Sequence, residues 1–442
     1  MRNLSLSVKN FRAVREADIQ IKGITVVAGI NSTGKSTLSR LLYHVVQQAL
    51  EFEENREREL AEYLKRLSSY LLNLAIDLGF DIEGKIKQML LSYREYDFDQ
   101  NIKVIIQTVN ELVDEFEDGL QNRLKIKNFS KAELNRIYSV LNIKGHFESE
   151  TPDDAPFGIP GIISELKKTI NKVVNKTKEQ INNRPLDVFF YDLDRILRSQ
   201  ISYLDFAEDN IHMLDRERNR VNNIYTIENV FYIDTPFALQ ISASDYISRS
   251  DVGYSHWSHL RNSIIRAEPL QLDNIPESVY SDITGVIEGY AIIEHNNLGE
   301  QMLFRRSTDG LIIELADSAT GIKSFAILQM LLSHGLLNDK TLLILDEPEA
   351  HLHPQWIVEY ARVLVLLNKR LGVRFMLASH NPDMVSALRY ISEKEETLDD
   401  LNFYLSEEVE NQQYIFRDLG VDIEPIFDSF NVAFDKISRY GV

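Results

Sequence analysis

The segment GINSTGKST, residues 29–37, constrains the fold of this chain more than any other feature. It matches the pattern G-x-x-x-x-G-K-[ST] through Gly29, Gly34, Lys35 and Ser36. The apolar run GITVVAG before it predicts a buried strand, and KSTLSRLLYHVVQQAL after it predicts a helix. In such a loop, backbone N–H groups surround phosphate oxygens and the helix N-terminus adds positive potential. We therefore predict a P-loop in which Lys35 reaches the β- and γ-phosphates and Ser36 binds Mg²⁺.

A second segment, LLILDEPE, predicts the carboxylates that such a site needs. Four apolar residues lead into Asp346 and Glu347, as in a buried strand that ends in acidic side chains. We predict that Asp346 binds Mg²⁺ beside Ser36 and that Glu347 orients the attacking water as a general base. The alternative, an acidic loop that only caps a helix, is disfavoured by the P-loop earlier in the chain.

The segments around these motifs predict mainly strands. Leu4, Leu6 and Val8 alternate with polar residues, which predicts short antiparallel strands. NVFYIDTP and RFMLAS are further candidate strands. The stretch 289–315 predicts strands joined by turns at Asn296-Asn297 and Asp309-Gly310. KSFAILQMLLSHGLL, in contrast, predicts a helix.

Residues 50–228 predict helices instead. Leucines recur there at alternating steps of four and three, which is a heptad-like spacing too short for a long coiled coil. The leucines of this seam are Leu60, Leu64, Leu67, Leu71, Leu74 and Leu78. A second apolar stripe runs from Ile102 to Leu120, and SETPDDAPFGIPG then interrupts the helical pattern. We interpret the region as a helical insertion.

Composition narrows the class of protein. The 48 basic and 67 acidic residues give a formal net charge of −19, which repels nucleic acid and anionic membranes on average. The absence of cysteine excludes disulfides, Cys-based zinc sites and thiol nucleophiles. The sequence has no apolar run long enough to span a bilayer, and its N-terminus is too polar for a signal peptide. We expect a cytoplasmic protein with no membrane partner.

On four motifs, the chain resembles ABC-type ATPases of the SMC, RecF and OLD kind. The motifs are GINSTGKST, ATGIKS, LLILDEPEAHLHP and ASHNP, in the order of that family. The resemblance implies an α/β fold, an ABC-type P-loop ATPase head with mixed sheets, interrupted by a helical insertion. Residues 1–49 and 229–390 would form the head, 50–228 the insertion and 391–442 a C-terminal tail. The implied ligands are ATP and Mg²⁺, sandwiched between two heads of a homodimer or larger oligomer.

The resemblance also implies the residues that contact ATP. The segment DSATGIKS matches the signature loop that caps the ATP of the opposite subunit, although Ala319 occupies the slot usually filled by serine. An ordinary N-capped helix is the alternative for this segment. The expected ATP-binding residues are Gly29, Asn31, Gly34, Lys35, Ser36, Thr37, Ser318, Thr320, Gly321 and Lys323.

Further positions follow from the family pattern. His380 in LASHNP matches the switch histidine that contacts the γ-phosphate. Gln240 is a candidate Q-loop residue, with Asp234 as the alternative. His351 and His353 lie in the segment that matches the D-loop, where we expect a structural role rather than a metal site. Arg12 lies near the ATP site in the family.

The resemblance favours the regulatory ATPase of an anti-phage defence system that controls a partner effector protein. DEPEAHLHP is most similar to stand-alone ATPases of that type. The alternatives are a RecF-like or SMC-like DNA-repair ATPase and, because of Ala319, a nucleotide-gated scaffold with negligible hydrolysis. We expect no nuclease, since Asp192 and Asp194 form an Asp-x-Asp pair on a predicted helix. The lysines at 167, 168, 172 and 176 leave nucleic acid or an acidic partner open as ligands.

Overall fold

The computed structural model describes residues 3–82, 102–126, 159–209, 211–240, 255–270, 277–296, 299–350 and 352–429. The chain divides into two units. Met1–Leu50 together with Leu186–Val442 form the first, which we call the head unit, and Glu51–Pro185 form the second, the helical unit. None of the described helices combines the length and the apolar composition that crossing a membrane requires.

The head unit contains a large mixed sheet of ten strands within the described residues, in the order β5-β4-β1-β2-β15-β14-β3-β13-β12-β8. Its strands are β1 Leu4–Phe11, β2 Val14–Ile21, β3 Ile24–Ala28, β4 Tyr203–Glu208, β5 Ile211–His212, β8 Asn229–Ile233, β12 Thr341–Asp346, β13 Arg374–Ser379, β14 Leu401–Glu410 and β15 Gln413–Gly420. Two smaller sheets pair β6 Leu214–Asp215 with β7 Arg220–Val221, and β9 Gly289–Asn296 with β10 Gly299–Arg306 and β11 Ile312–Glu314.

The middle of the large sheet is parallel and buried. β3 pairs in parallel with β13 and β14, and β12 pairs in parallel with β13 and β8. All five residues of β3 are buried, as the apolar run predicts for a strand covered on both faces. Because these strands run the same way, their carboxyl ends meet at one edge, where the polar loops that follow them come together.

The described helices of the head unit cover this sheet. They are α1 Lys35–Leu50, α5 Leu186–Leu197, α6 Ser255–Arg266, α7 Glu277–Ile287, α8 Thr320–Ser333, α9 Pro354–Leu371 and α10 Pro382–Lys394. α8 and α9 carry much of the core, since most of the apolar residues of both elements are buried. α1 has the bounds that the sequence predicted for the helix after the P-loop.

The helical unit is built from α2 Phe52–Leu78, α3 Ile102–Ile126 and α4 Ile159–Asn183. The leucine seam of α2 is buried against the apolar stripe of α3, where Phe116 is fully buried, and against Ile170 of α4. Burying one leucine side chain contributes roughly 1.5–3 kcal/mol relative to exposing it, so this seam is the main source of cohesion. The three helices pack as a short bundle, as the heptad-like spacing indicated.

Two boundaries differ from those expected from the sequence. Residues 186–228 lie in the head unit rather than in the insertion: β4 pairs with β1, and α5 packs against α1. The segment 391–442 was expected to be a tail, but β14 and β15 lie inside the large sheet, between β3 and β2. Both segments join the head through strands that are distant in sequence, β4 with β1 and β14 with β3, and a local pattern cannot show such pairing.

Several strand predictions are confirmed. β1 and β2 form an antiparallel pair in which Leu4 lies opposite Ile21. β10 and β11 are antiparallel and flank the predicted turn, where Gly310 adopts a φ of +72°. The other predicted turn is Asn296-Asn297, and Asn297 lies outside the described residues.

Candidate functional site

The P-loop connects β3 to α1 at the carboxyl edge of the parallel strands. Gly29 has a φ of +145° and Gly34 a φ of +98°, values that favour glycine. A Cβ atom on Gly29 would lie 1.9 Å from Ser406 Oγ of β14, so the loop also needs glycine there for space. The loop is therefore set by backbone conformation and by its close approach to a neighbouring strand.

Lys35 places its charge inside the loop. Its side chain is only 4% exposed, and Nζ donates to the carbonyl oxygens of Gly29 at 2.9 Å and Ile30 at 2.7 Å. Burial lowers the pKa of Lys35, while the carboxylates of Glu347 and Asp346 act in the opposite direction. The ammonium group thus belongs to a charged cluster at the end of the parallel strands.

A cavity of about 220 Å³ opens at the loop. The cavity is lined by Arg12, Ala13, Asn31, Ser32, Thr33, Gly34, Lys35, Ser36, Thr37 and Glu347. Most of the P-loop residues predicted to bind ATP thus face one space, together with the predicted general base. Arg12 reaches it from the turn between β1 and β2, where its Nη2 also donates to the carbonyl oxygen of Leu197 at 2.6 Å.

Ser36 and Asp346 come together across 310 positions of sequence. Ser36 Oγ donates to Asp346 Oδ1 at 2.9 Å, and Tyr232 OH donates to Asp346 Oδ2 at 3.0 Å. Burial raises the pKa of Asp346, although both hydrogen bonds counteract the shift. A hydroxyl and a partly buried carboxylate are hard oxygen donors of the kind that Mg²⁺ takes, with phosphate oxygens and water completing the coordination. The two residues therefore fit the predicted metal role.

Glu347 follows β12 with a φ of +50°, an uncommon value for a residue with a side chain. Its N–H donates to the carbonyl oxygen of Ala378 at 2.8 Å, which fixes this backbone against β13. Its Oε1 lies 3.2 Å from Nδ1 of His380, directly after β13. The structure thus brings Glu347 and His380 together beside the P-loop cavity.

The residues predicted for the signature loop do not line the P-loop cavity. Ser318 is buried and its Oγ donates to the carbonyl oxygen of Leu315 at 2.8 Å. Thr320 opens α8, and Gly321 packs so tightly on Trp356 that a Cβ would lie 2.7 Å from the ring. Burial lowers the pKa of Lys323, whose Nζ lies 4.9 Å from the centre of the Phe237 ring.

The candidates for the Q-loop and D-loop have distinct surroundings. Gln240 ends a short 3₁₀ helix, Pro236–Gln240. Asp234 directly follows β8 and lines a second, smaller cavity that also contains Asp346 and Glu347. Asp234 thus shares a cavity with Asp346, the predicted metal ligand. His353 is the N-cap of α9, accepting at 3.4 Å from the N–H of Gln355, and His351 lies outside the described residues.

Two residues that the sequence analysis did not single out belong to the site. Tyr232 contacts Asp346, as described above. Glu349 is buried, and its Oε1 accepts from Ser379 Oγ at 2.7 Å and from the N–H of His380 at 3.1 Å. Burial raises the pKa of Glu349, and these bonds act against that shift. Tyr232 left no local signal in the sequence, because its contact with Asp346 depends on the parallel pairing of β8 with β12.

A family model described as "AAA ATPase domain" matches residues 1–385. Similar solved structures include an SMC head domain from Thermotoga maritima, at 15% identity, 37% coverage of this chain, 51% of that chain and a TM-score of 0.25. The chain therefore spans about half the length of that domain.

Two further structures align over nearly all of both chains. An Smc head domain with an extended coiled coil, from Pyrococcus furiosus and bound to the C-terminal domain of ScpA, is 10% identical over 99% of this chain and 100% of that chain, with a TM-score of 0.34. An SmcHead bound to the C-winged helix domain of ScpA is 10% identical, with 95% and 97% coverage and a TM-score of 0.37. No curated protein matches the chain.

Proposed function

Because this chain belongs to the AAA ATPase domain family, we propose that it binds ATP with Mg²⁺ in the P-loop cavity and hydrolyses it to ADP and phosphate. One observation carries the proposal. Ser36, which lines the P-loop cavity together with Lys35 and Glu347, has its Oγ 2.9 Å from Asp346 Oδ1. These side chains come from two motifs far apart in sequence and supply the donors, charge and base that phosphoryl transfer needs.

Each side chain has a definite role in this reaction. The N–H groups of the loop and Lys35 bind the phosphates, while Ser36 and Asp346 would hold Mg²⁺, which neutralises charge on the β- and γ-phosphates. A water oxygen forms a bond to the γ-phosphorus as the bond to the β-phosphate oxygen breaks. Glu347 accepts the proton of that water. In this proposal His380, whose Nδ1 lies 3.2 Å from Glu347 Oε1, contacts the γ-phosphate.

The proposed assembly is a homodimer or larger oligomer with ATP between two heads. Its support is that, within one chain, none of residues 318–323 lines the P-loop cavity. In the proposed dimer, the N–H groups at the start of α8, which follows the exposed Ala319, would bind a phosphate held by a second copy. Because the hydroxyl of Ser318 is bonded to Leu315, Thr320 is the better candidate for the missing signature serine.

The proposed cellular role is the regulatory ATPase of an anti-phage defence system that controls a partner effector. Its support is the similarity of DEPEAHLHP to stand-alone ATPases of that type. The helical unit is the candidate recognition surface. Lys167 of its basic face pairs with Asp114 at 2.7 Å and Glu117 at 2.9 Å, and Lys168 pairs with Glu165 at 3.4 Å. Lys172 and Lys176 are exposed and are the more available charges. A RecF-like or SMC-like repair ATPase is the alternative role.

A second candidate function, a nucleotide-gated scaffold with negligible hydrolysis, is favoured by one residue. Ala319 stands where the family has serine, and as N-cap of α8 it makes no side-chain hydrogen bond. Without a hydroxyl at this position, ATP binding is retained while the contact that promotes hydrolysis is weakened.

Two variants test the proposed activity. Lys35→Ala should abolish ATP binding in calorimetry, because it removes the one side-chain cation inside the loop. Glu347→Gln should keep ATP binding and lower turnover at least about a hundredfold, the usual scale for a lost general base. Wild-type turnover in Glu347→Gln would reject Glu347 as the base. A wild-type protein that binds ATP without releasing phosphate would support the scaffold instead.

A further inference from the structure

The carboxylate of Asp346 is held from two sides. Its Oδ1 faces Ser36, where the metal is expected, and its Oδ2 accepts from Tyr232 OH at 3.0 Å. A carboxylate with one bonded oxygen can still rotate, whereas bonds to both oxygens define its plane. Tyr232 therefore fixes the direction in which the other oxygen points.

The ring of Tyr232 has little freedom of its own. The side chain is 1% exposed and contacts the rings of Tyr43 on α1 and His256 on α6, with centroid distances of 5.8 Å and 4.8 Å. α1 is the helix that begins at the P-loop. The phenol hydroxyl is thus positioned by the same helix that carries Lys35 and Ser36.

The end of β8, which carries Tyr232, is itself anchored. Trp257 Nε1 donates to Asp234 Oδ1 at 2.6 Å, and His256 Nε2 lies 3.1 Å from Asp234 Oδ2. Asp234 follows Tyr232 by two residues, so α6 fixes the strand end on which the tyrosine lies. Burial, with Asp346 and Asp234 nearby, raises the pKa of Tyr232 well above its usual value, so the phenol remains a neutral donor.

We propose that Tyr232 is a positioning residue for the metal-binding carboxylate: it orients Asp346 so that the oxygen facing Ser36 is ready to bind the Mg²⁺ of Mg–ATP. The inference rests on the proposed function. It adds a residue that touches neither nucleotide nor metal and acts only through Asp346. Partners of this kind are commonly worth about 10- to 100-fold in metal affinity.

The competing explanation is that Tyr232 only fills the core. Tyr232→Phe separates the two, since it keeps the ring and removes the hydroxyl. Tyr404→Phe is the matched control: Tyr404 is equally buried, and its hydroxyl donates to Asp418 Oδ2 at 3.3 Å while accepting from the N–H of Gln20. Each variant loses one buried phenol hydroxyl that donates to an aspartate.

The measurement is binding of Mn²⁺, as a substitute for Mg²⁺, by electron paramagnetic resonance with a slowly hydrolysed ATP analogue present. Binding of the analogue in EDTA is measured in parallel. We expect Tyr232→Phe to weaken Mn²⁺ binding about 10-fold. Its analogue affinity in EDTA should remain within about twofold of wild type, because surrounding packing is retained. Tyr404→Phe should leave both affinities at the wild-type level.

The outcomes are distinct. Unchanged Mn²⁺ affinity in Tyr232→Phe overturns the inference while the proposed function stands. Equal losses with and without metal also overturn it, since they indicate general disturbance of the site. A wild-type protein that binds no metal–nucleotide complex rejects the proposed function and the inference together.

Discussion

His380 lies between two carboxylates with different environments. Glu347 faces the P-loop cavity and is half exposed, whereas Glu349 is buried behind the histidine and accepts from Ser379 Oγ and the N–H of His380. Glu349 Oε1 lies 3.7 Å from His380 Nδ1, a distance too long for a hydrogen bond. Glu349 thus holds the backbone of the loop that carries His380 rather than the imidazole itself.

This geometry makes a prediction for Glu349. Glu349→Ala should lower unfolding free energy by about 1–3 kcal/mol, because two buried donors lose their acceptor. Turnover should fall as the His380 loop loosens. Glu349→Gln, which retains an acceptor oxygen, is the control and should be nearer to wild type on both measures. Urea unfolding and steady-state phosphate release check the pair, and identical behaviour of the two variants would contradict the role.

A second prediction concerns pH. Burial lowers the pKa of His44 to about 3, with the charges of His256 and Arg40 adding to the shift, from an ordinary value of 6.5. Below about pH 6.5, His44 is protonated in the unfolded chain but stays neutral in the folded chain. The unfolding free energy therefore falls as pH falls from about 6.5 towards 3. Between pH 7.5 and 5 this group should cost about 2 kcal/mol.

His44→Gln isolates this contribution, since glutamine does not titrate. The variant should show a shallower loss of unfolding free energy between pH 7.5 and 5 than the wild type, measured by urea unfolding at both pH values. A parallel loss in the two proteins would mean that other groups, such as buried carboxylates, cause the pH dependence.

At the residue scale, the sequence predicted the motif residues but not the residues that hydrogen-bond to them. Lys35, Ser36, Asp346 and Glu347 were identifiable because their spacing is fixed by short local patterns. Tyr232 lacked such a pattern: its contact with Asp346 exists only because β8 pairs with β12 in parallel, with Tyr232 opposite Ile344. Register between distant strands is a property of the assembled sheet.

Among the elements, α8 has an unusually weak start. Its N-cap, Ala319, has φ −59° and ψ 145°, the extended geometry in which a serine side chain accepts from the N–H groups of the first turn. Ala319→Ser should therefore add about 1 kcal/mol to unfolding free energy. It should also raise turnover if this position faces a γ-phosphate.

Ala319→Gly is the matched control, because glycine caps better than alanine but has no hydroxyl. A turnover increase in the serine variant alone would assign the effect to a hydroxyl contact. An equal increase in both would assign it to the helix start. Unfolding by urea and phosphate release measure the two quantities.

The starts of helices were predictable where a local residue pattern marks them. α1 begins at the lysine of the P-loop and α9 begins after His353 at a proline, and both features are visible in the sequence. β14 was not anticipated, since its apolar half, LNFYL, is short and its other half is acidic. Its partners β3 and β15 make it a strand, and only one of them is close in sequence.

For the whole molecule, the proposed sandwich makes a prediction that needs two variants. Lys35→Ala removes the phosphate cation, and Ala319→Asp keeps a good N-cap but places negative charge where the partner's phosphate would lie. Each variant alone should be inactive. Mixed in equal amounts, they should recover about a quarter of wild-type turnover, because half the dimers would hold one intact composite site.

Phosphate release by the mixture, compared with each variant alone, checks this arrangement. Ala319→Ser mixed with Lys35→Ala serves as the control, because the serine variant should retain two working signature loops. A mixture no more active than its components would show that each chain completes its own site.

The large sheet joins the beginning of the chain to its end, and this dictates an order of events during synthesis. β3, which leads into the P-loop, has as neighbours β13 at Arg374–Ser379 and β14 at Leu401–Glu410. During synthesis, more than three hundred further residues are added after β3 before either neighbouring strand leaves the ribosome. The helical unit is a compact unit within residues 51–185 and can therefore fold before that point. While residues 186–373 are added, the nascent chain therefore carries a bundle that can already be folded beside an apolar strand whose neighbours are still missing.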